Sequence, residues 1–314
     1  MRVLVAGGAG FVGSHLVDLL VGQGDDVVVV DNLLTGTPAN LDHLPSGRVT
    51  LLRADAESAP DGTFDRVYHL ASPASPEAYS RHQVATLMAN SAGTKRLLDV
   101  AERCGARVLL ASTSEVYGDP LEHPQRETYW GNVDPIGPRS MYDEGKRFAE
   151  ALTVAYVRER GADARIVRIF NAYGPRMALD DGRMPSAFVA AALRGEPLPV
   201  HGDGSQTRSL CFVGDTVRGL RSAMELGRPG EVYNIGRADE ISVLEFARTV
   251  IAAASSVSRI EMVPGRPQDI KRRCPDGAKS DRELGWRPVV SLPTGLRETL
   301  GWYRDVIGRS VAVA

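Results

Sequence analysis

Short apolar runs recur along the first half of the chain, at residues 2–6, 27–30, 49–53, 66–71, 107–112 and 165–170. They are continuous rather than alternating, as parallel strands are when helices cover both faces of their sheet. Residues 84–103 and 141–160 carry apolar positions at helical spacing, and each stretch is closed by a glycine, Gly105 and Gly161, in the stop position. Repeated strand–helix alternation predicts an α/β fold with a doubly wound parallel sheet, whose ligands sit at the carboxyl ends of the strands. Asn32, Asp55, Ser72, Thr113 and Asn171 all fall at such ends.

After Asn171 the texture changes. AYGPRMALDDGRMP and GEPLPVHGDGSQTRS are rich in Gly, Pro and polar residues, with a short helix expected at 186–193. A helix at 213–226 and a strand at 231–235 then return to the sheet. This reading gives a cofactor domain of residues 1–171 and 213–236, and a smaller, discontinuous α/β substrate domain of 172–212 and 237–314.

Composition narrows the function. The 314 residues are 43% hydrophobic with a net charge of −2, which argues against a polyanionic partner such as nucleic acid. The apolar start is too short for a signal peptide or a membrane span, so a cytoplasmic protein without a membrane partner is expected. The three cysteines, Cys104, Cys211 and Cys274, are widely spaced without a CxxC, so neither a disulfide framework nor a metal site is expected.

The first strand runs straight into Gly7-Gly8-Ala9-Gly10-Phe11-Val12-Gly13 and then a helix. Glycines there permit a tight turn and close approach of the backbone to a pyrophosphate, which the helix N-terminus attracts. The next strand ends on Asp31, where a carboxylate can accept from both adenosine ribose hydroxyls and repel a 2′-phosphate. A Rossmann-type site for NAD, rather than NADP, is the expectation. Its cofactor residues are Gly7, Gly10, Phe11, Val12, Gly13, Asp31, Asn32, Asp55, Leu70, Ser72, Tyr142 and Lys146.

The strand at 107–112 ends on Ser112-Thr113-Ser114-Glu115, and downstream Tyr142 and Lys146 stand four apart on one helix face. A free tyrosine titrates near ~10, and an adjacent ammonium is expected to bring the phenol toward neutrality as a base.

GGAGFVGSH, HLASPASP, ASTSEVYGDP, YWGNVDPIGPRSMYDEGKR, RIFNAYGPRM and HGDGSQTRS resemble the extended short-chain dehydrogenases/reductases, and more narrowly the UDP-glucuronate decarboxylases (UDP-xylose synthases). The likeness runs from Arg2 to about Leu300. It implies that Tyr142 takes the proton of the sugar 4-hydroxyl while NAD accepts the C4 hydride. Lys146 then tunes the tyrosine and binds the nicotinamide ribose, and Thr113 bonds the same hydroxyl. Loss of carbon dioxide from the 4-keto sugar follows, with Glu115 orienting the uronate and Arg273 assisting reprotonation or phosphate binding. Ser114, Asn171, Arg183, Gln206, Arg208 and Arg273 are the implied contacts to the UDP-sugar, and a homodimer joined through helices 84–103 and 141–160 is implied as well.

Related 4,6-dehydratases carry Asp–Glu where this chain has Ser114–Glu115, and 4-epimerases usually lack the carboxylate at 115. A decarboxylase is therefore expected, with a UDP-hexuronate 4-epimerase or a nucleotide-sugar 4,6-dehydratase as alternatives, and a catalytically idle NAD-binding protein as the rival of another class. The chain departs from the family at Met88-Ala89-Asn90, where KTN is common, and at Arg272-Arg273-Cys274.

Overall fold

The computed structural model describes residues 1–265 and 271–313; residues 266–270 and 314, part of the expected substrate domain, lie outside the described residues. In chain order the first half comprises β1 (Arg2–Ala6), α1 (Phe11–Gly22), β2 (Asp26–Asp31), β3 (Val49–Arg53), β4 (Arg66–His69), α2 (Pro76–Arg81), α3 (Gln83–Asn90), α4 (Ala92–Cys104), β5 (Arg107–Thr113), α5 (Ser140–Arg160) and β6 (Ala164–Ile169). The second half comprises β7 (Ala172–Tyr173), α6 (Met184–Arg194), β8 (Leu198–His201), β9 (Thr207–Ser209), β10 (Cys211–Phe212), α7 (Val213–Leu226) and β11 (Val232–Ile235). It ends with β12 (Glu240–Ser242), α8 (Val243–Ala254), β13 (Ile260–Val263), β14 (Arg272–Arg273), α9 (Ala278–Leu284) and α10 (Leu292–Val313).

Seven strands form one parallel sheet in the order β11-β6-β5-β4-β1-β2-β3. The strand order reverses between β1 and β4, which opens a crevice at their carboxyl ends. One face packs Leu16, Val17 and Leu20 of α1 with Val217 and Leu220 of α7, in a core that continues to Phe188 of α6, Phe246 of α8 and Leu296 of α10. The other face packs Leu97, Leu98 and Ala101 of α4 and Tyr156 of α5 on Leu4, Val28, Val67 and Val108. Burial on both faces explains why these strands read as unbroken apolar runs.

Two features differ from the sequence reading. The helix expected over 84–103 is broken at Ser91, which leaves the helical region at φ −107°, ψ −81°. Around the break three polar side chains bond to carbonyls four residues back: Asn90 Nδ2 to Thr86, Ser91 Oγ to Leu87 and Thr94 Oγ1 to Asn90. Such bonds compete with the helical ladder and bend it. Beyond Asn171, the short strands β9, β12 and β14 form one small sheet, and β8 with β13 another. With two to four residues each, they leave no periodic signal.

Candidate active site

A cavity of about 1250 Å³ lies at the carboxyl ends of β1, β4 and β5. At one end, β1 passes through the glycine loop into α1. Gly7 sits at φ +81°, and a Cβ there would come within 2.6 Å of the Ala71 nitrogen. A Cβ on Gly13 would lie 2.0 Å from the Gly7 carbonyl oxygen, so both positions require glycine. α1 starts at Gly10 without a side-chain cap, which leaves its first amides facing the cavity.

Asp31, at the end of β2, accepts from the Ala9 amide at 3.0 Å and the Leu33 amide at 2.9 Å. Burial raises its pKa, and these two amides oppose the rise. Asn32 Nδ2 donates to Asp55 at 2.7 Å, and Ser72 Oγ accepts from Asn90 Nδ2 at 2.9 Å. Gly7, Gly10, Phe11, Val12, Gly13, Asp31, Asn32, Asp55, Leu70 and Ser72 all line this region.

At the other end, β5 delivers Thr113 and the 3-10 turn Ser114–Tyr117 presents Ser114 and Glu115, while α5 brings Tyr142 and Lys146. Thr113 Oγ1 accepts from the Glu115 amide at 3.2 Å, fixing the turn that aims the carboxylate. Tyr142 is buried and stacks on Tyr79 of α2, ring centroids 5.1 Å apart and nearly coplanar at 9°. Glu115 is held between two guanidiniums, Arg139 at the N-cap of α5 and Arg273 of β14, the latter 3.3 Å away. Burial alone would raise the Glu115 pKa, but Arg273 and Arg139 outweigh it and hold the carboxyl at about 2.

The electrostatics of the Tyr142–Lys146 pair correct the sequence expectation. Burial, followed by the Glu115 carboxylate, raises the Tyr142 phenol above its ordinary range, with Thr113 and Arg183 opposing. Lys146 Nζ donates to the Ala111 carbonyl at 2.8 Å and lies 6.0 Å from the Tyr142 ring centroid. Burial lowers Lys146 to about 7, against the pull of the Glu150 carboxylate. Here desolvation outweighs the expected charge effect.

Of the other expected substrate contacts, Asn171, Arg183, Arg208 and Arg273 line the cavity. Asn171 Nδ2 and Arg273 Nε are buried without a hydrogen-bond partner among the described residues. Arg183 forms a two-pronged pair with Asp181. Gln206 stands apart: it is not a lining residue, and its amide donates to the His201 carbonyl at 2.9 Å, bracing the turn between β8 and β9.

Three residues at this end were not singled out from the sequence. Arg139 was visible within GPRS next to the Tyr142 helix; Asp143 and Tyr79 carried no spacing signal. Asp143 is buried, and its carboxyl is within hydrogen-bonding reach of Glu115.

Away from the cavity, the fold brings potential ligand atoms of His123, Glu240 and Cys274 within 4.8 Å of one another, which sequence spacing did not suggest. Arg272 already places a cation there, donating to Glu240 at 2.7 Å and lying 2.7 Å from His123 Nε2.

Residues 3–236 match the model of the NAD dependent epimerase/dehydratase family. The chain is 51% identical over 308 residues to UDP-glucuronic acid decarboxylase 1 of Arabidopsis thaliana, covering 98% of this chain and 71% of that one. It is 48% identical over 303 residues to UDP-glucuronic acid decarboxylase 1 of Danio rerio, covering 96% and 72%. A dTDP-glucose 4,6-dehydratase of Streptomyces venezuelae, solved with NAD bound, superposes with a TM-score of 0.87 at 33% identity over 98% of each chain. The chain belongs to the NAD dependent epimerase/dehydratase family.

Proposed function

We propose that the protein is an NAD-dependent UDP-glucuronate decarboxylase that forms UDP-xylose through a 4-keto intermediate. The observation that carries the reading is Glu115 clamped by Arg139 and Arg273 beside Tyr142 and Thr113, on a chain about half identical to curated UDP-glucuronic acid decarboxylases. The neighbouring residue is Ser114, where the related dehydratases carry an aspartate as the acid for a departing water. Carbon dioxide needs no such acid.

The residues fit NAD: a glycine loop with no room for a Cβ at Gly7 or Gly13, uncapped amides at the start of α1, and the Asp31 carboxylate where a ribose diol is read. Gly10, Phe11, Val12 and Gly13 would hold its pyrophosphate, Asp31 its adenosine ribose, and Lys146 its nicotinamide ribose. When bound, NAD supplies the acceptor, and later the donor, of the C4 hydride. Tyr142, once its phenol is ionised against the burial that raises it, takes the proton of the 4-hydroxyl, and Thr113 orients that hydroxyl. The 4-ketone lies β to the carboxylate, so the electrons left by departing carbon dioxide are stabilised as an enolate. Arg273 and Arg139 bring positive charge to the end of the cavity where the uronate must lie, with Glu115 between them. Asn171, Arg208 and Arg273 hold the UDP, the arginines through charge-assisted bonds.

In this reading residues 1–171 and 213–236 carry the cofactor, and 172–212 and 237–314 carry the nucleotide sugar. A homodimer is supported by apolar side chains exposed on α3 and α5, namely Val84, Leu87, Met88 and Phe148. Light scattering showing a strict monomer at micromolar concentration would remove that element. A cytoplasmic location suits the three free thiols, and among the described residues no helix is long and apolar enough to cross a membrane.

The deciding experiment is incubation with UDP-glucuronate, with and without added NAD, followed by mass analysis. UDP-pentose with carbon dioxide supports the reading; an epimerised uronate or a 4-keto-6-deoxy sugar replaces it with one of the alternatives.

A further inference from the structure

We propose that Asp143 and Glu115 act as a carboxyl pair sharing one proton, and that Asp143, acting through Glu115, holds the proton that C5 of the sugar receives after decarboxylation. The inference rests on the decarboxylase reading and deepens it.

Asp143 lies in the first turn of α5, directly after Tyr142, where an acid would ordinarily serve the helix dipole from the surface. Here its side chain is buried, its carboxyl is within hydrogen-bonding reach of Glu115, and its Oδ1 has no hydrogen-bond partner among the described residues. Two carboxyls within hydrogen-bonding reach of each other cannot both ionise without strong repulsion, so the contact calls for one proton between them. The charged and titratable groups facing Asp143 come from several elements: Glu115 from the turn after β5, Arg139 from the N-cap of α5, Arg273 from β14, Tyr79 from α2 and its neighbour Tyr142. α3, which packs on α5, contributes no titratable side chain. Burial and then Glu115 push Asp143 up, while Arg139 and Arg273 pull against them; Glu115 moves the opposite way. The proton belongs to the pair rather than to either residue.

Charge counting agrees. With one proton shared, the pair carries a single negative charge against the two guanidiniums, leaving one positive charge for a uronate carboxylate. The chain thus carries on α5 a second carboxyl, where Ser114 offers none, but behind Glu115 rather than facing the cavity.

The chemistry requires such a donor, because decarboxylation of a uronate consumes one proton per turnover. The C5–C6 bond breaks, carbon dioxide leaves, and its bonding pair enters the enolate formed with the C4 oxygen. C5 then takes the proton from the Glu115 side of the pair as the C4 carbonyl re-forms. The pair, left with two negative charges, recovers a proton from solvent before the next cycle. Asp143 is a positioning residue in this scheme, since it does not touch the sugar.

The test is Asp143→Asn, whose amide can still donate to Glu115 but cannot supply a proton. With UDP-glucuronate, NADH should form on mixing as in the native enzyme, while UDP-xylose formation in rapid quench slows roughly 10²-fold. In the native enzyme the step after oxidation should slow as pH rises on the alkaline side, and in Asp143→Asn that dependence should vanish. A variant with native rates and a native pH profile for this step overturns the proposal, as does one that loses oxidation and product formation equally. A measurement on the native protein stands independent of the variant's folding: ¹³C NMR of carboxyl-labelled aspartate should show one buried Cγ titrating far above the ordinary range. If every aspartate is ionised at pH 6, and Glu115 too when glutamate carboxyls are labelled in the same way, the shared proton does not exist. Failure of the native enzyme to release carbon dioxide would strike the decarboxylase reading itself, whatever Asp143 does.

Discussion

At the glycine-loop end of the cavity, the groups facing the ligand are main-chain amides of the β1–α1 turn and the side chains of Asp31, Asn32, Asp55 and Ser72, all from the first four strands and the turns that follow them. At the Tyr142 end they are side chains from five separate places: Thr113 and Glu115 at the end of β5 and in the turn that follows, Arg139 before α5, Tyr142 and Lys146 on it, Arg183 before α6, and Arg273 on β14. The first end needs only a local fold to be complete. The second exists only when segments more than a hundred residues apart are docked, and its charges set one another's ionisation. The difference predicts that substitutions at the first end change binding, whereas those at the second separate the steps of the reaction.

The largest effect should come from Tyr142→Phe. It keeps the ring that stacks on Tyr79 and removes the base, so turnover should fall ~10²- to 10⁴-fold. Stopped-flow absorbance should show almost no NADH on mixing with UDP-glucuronate. Native-like NADH formation would mean that another group takes the 4-hydroxyl proton.

Glu115→Ala should follow, with turnover down ~10²-fold or more through loss of a positioned contact. This variant should fail differently: some NADH still forms while carbon dioxide release lags. It also leaves Arg139 and Arg273 without their shared anion, so the uronate should bind no more weakly than to the native enzyme. Decarboxylation at the native rate would reduce Glu115 to a structural role.

How legible each end was in the sequence follows the same division. The glycine loop and Asp31 declare themselves because a turn with no room for a Cβ at Gly7 and Gly13, and a strand-end acid, are local requirements. Tyr142, Lys146 and Glu115 were legible from spacing and family likeness. Arg139 was not recognised, because nothing local shows that it reaches Glu115. Asp143 resembles a solvated first-turn acid until α5 is packed, and Tyr79 resembles an ordinary core aromatic until α2 lies over Tyr142. Gln206, which within SQTR looks like a ligand contact, donates its amide to the His201 carbonyl and is not among the residues lining the cavity. The sign of the Tyr142 shift was missed for a related reason, since desolvation depends on packing that spacing cannot reveal.

Asp31→Ala tests the local end. It removes the acceptor that repels a 2′-phosphate and frees the Ala9 and Leu33 amides. NAD affinity should weaken ~10-fold, the scale of a charged hydrogen bond, and preference over NADP should relax. Calorimetric titration with both cofactors measures this, and unchanged affinity for both would remove Asp31 from the site. Turnover at saturating NAD should change little, in contrast to either variant at the other end.

The smallest effect, and the sharpest probe of electrostatic coupling, is Glu150→Gln. Glu150 lies one turn beyond Lys146 on α5, accepts from Ser112 Oγ at 2.5 Å and is paired with Arg168 at 2.7 Å. Its charge opposes the burial that lowers Lys146 to about 7. A glutamine keeps an acceptor for Ser112 and Arg168 but removes that charge, so the Lys146 pKa should fall further. The ammonium is the form that binds and polarises, and it is lost as pH rises through the folded-state pKa. The alkaline limb of kcat/KM, which reports the free enzyme, should therefore move to lower pH, with activity nearly unchanged where Lys146 stays protonated. Stability gives an independent check. Between the folded pKa and the ordinary lysine range the unfolded chain binds the extra proton, so stability gains with pH across that window, and the penalty of burying Lys146 is largest below it. Glu150→Gln should widen the window downward, so denaturant midpoints at successive pH values should begin their rise at lower pH than in the native protein. Limbs and midpoints that both coincide with the native ones would show that Glu150 serves Arg168 alone.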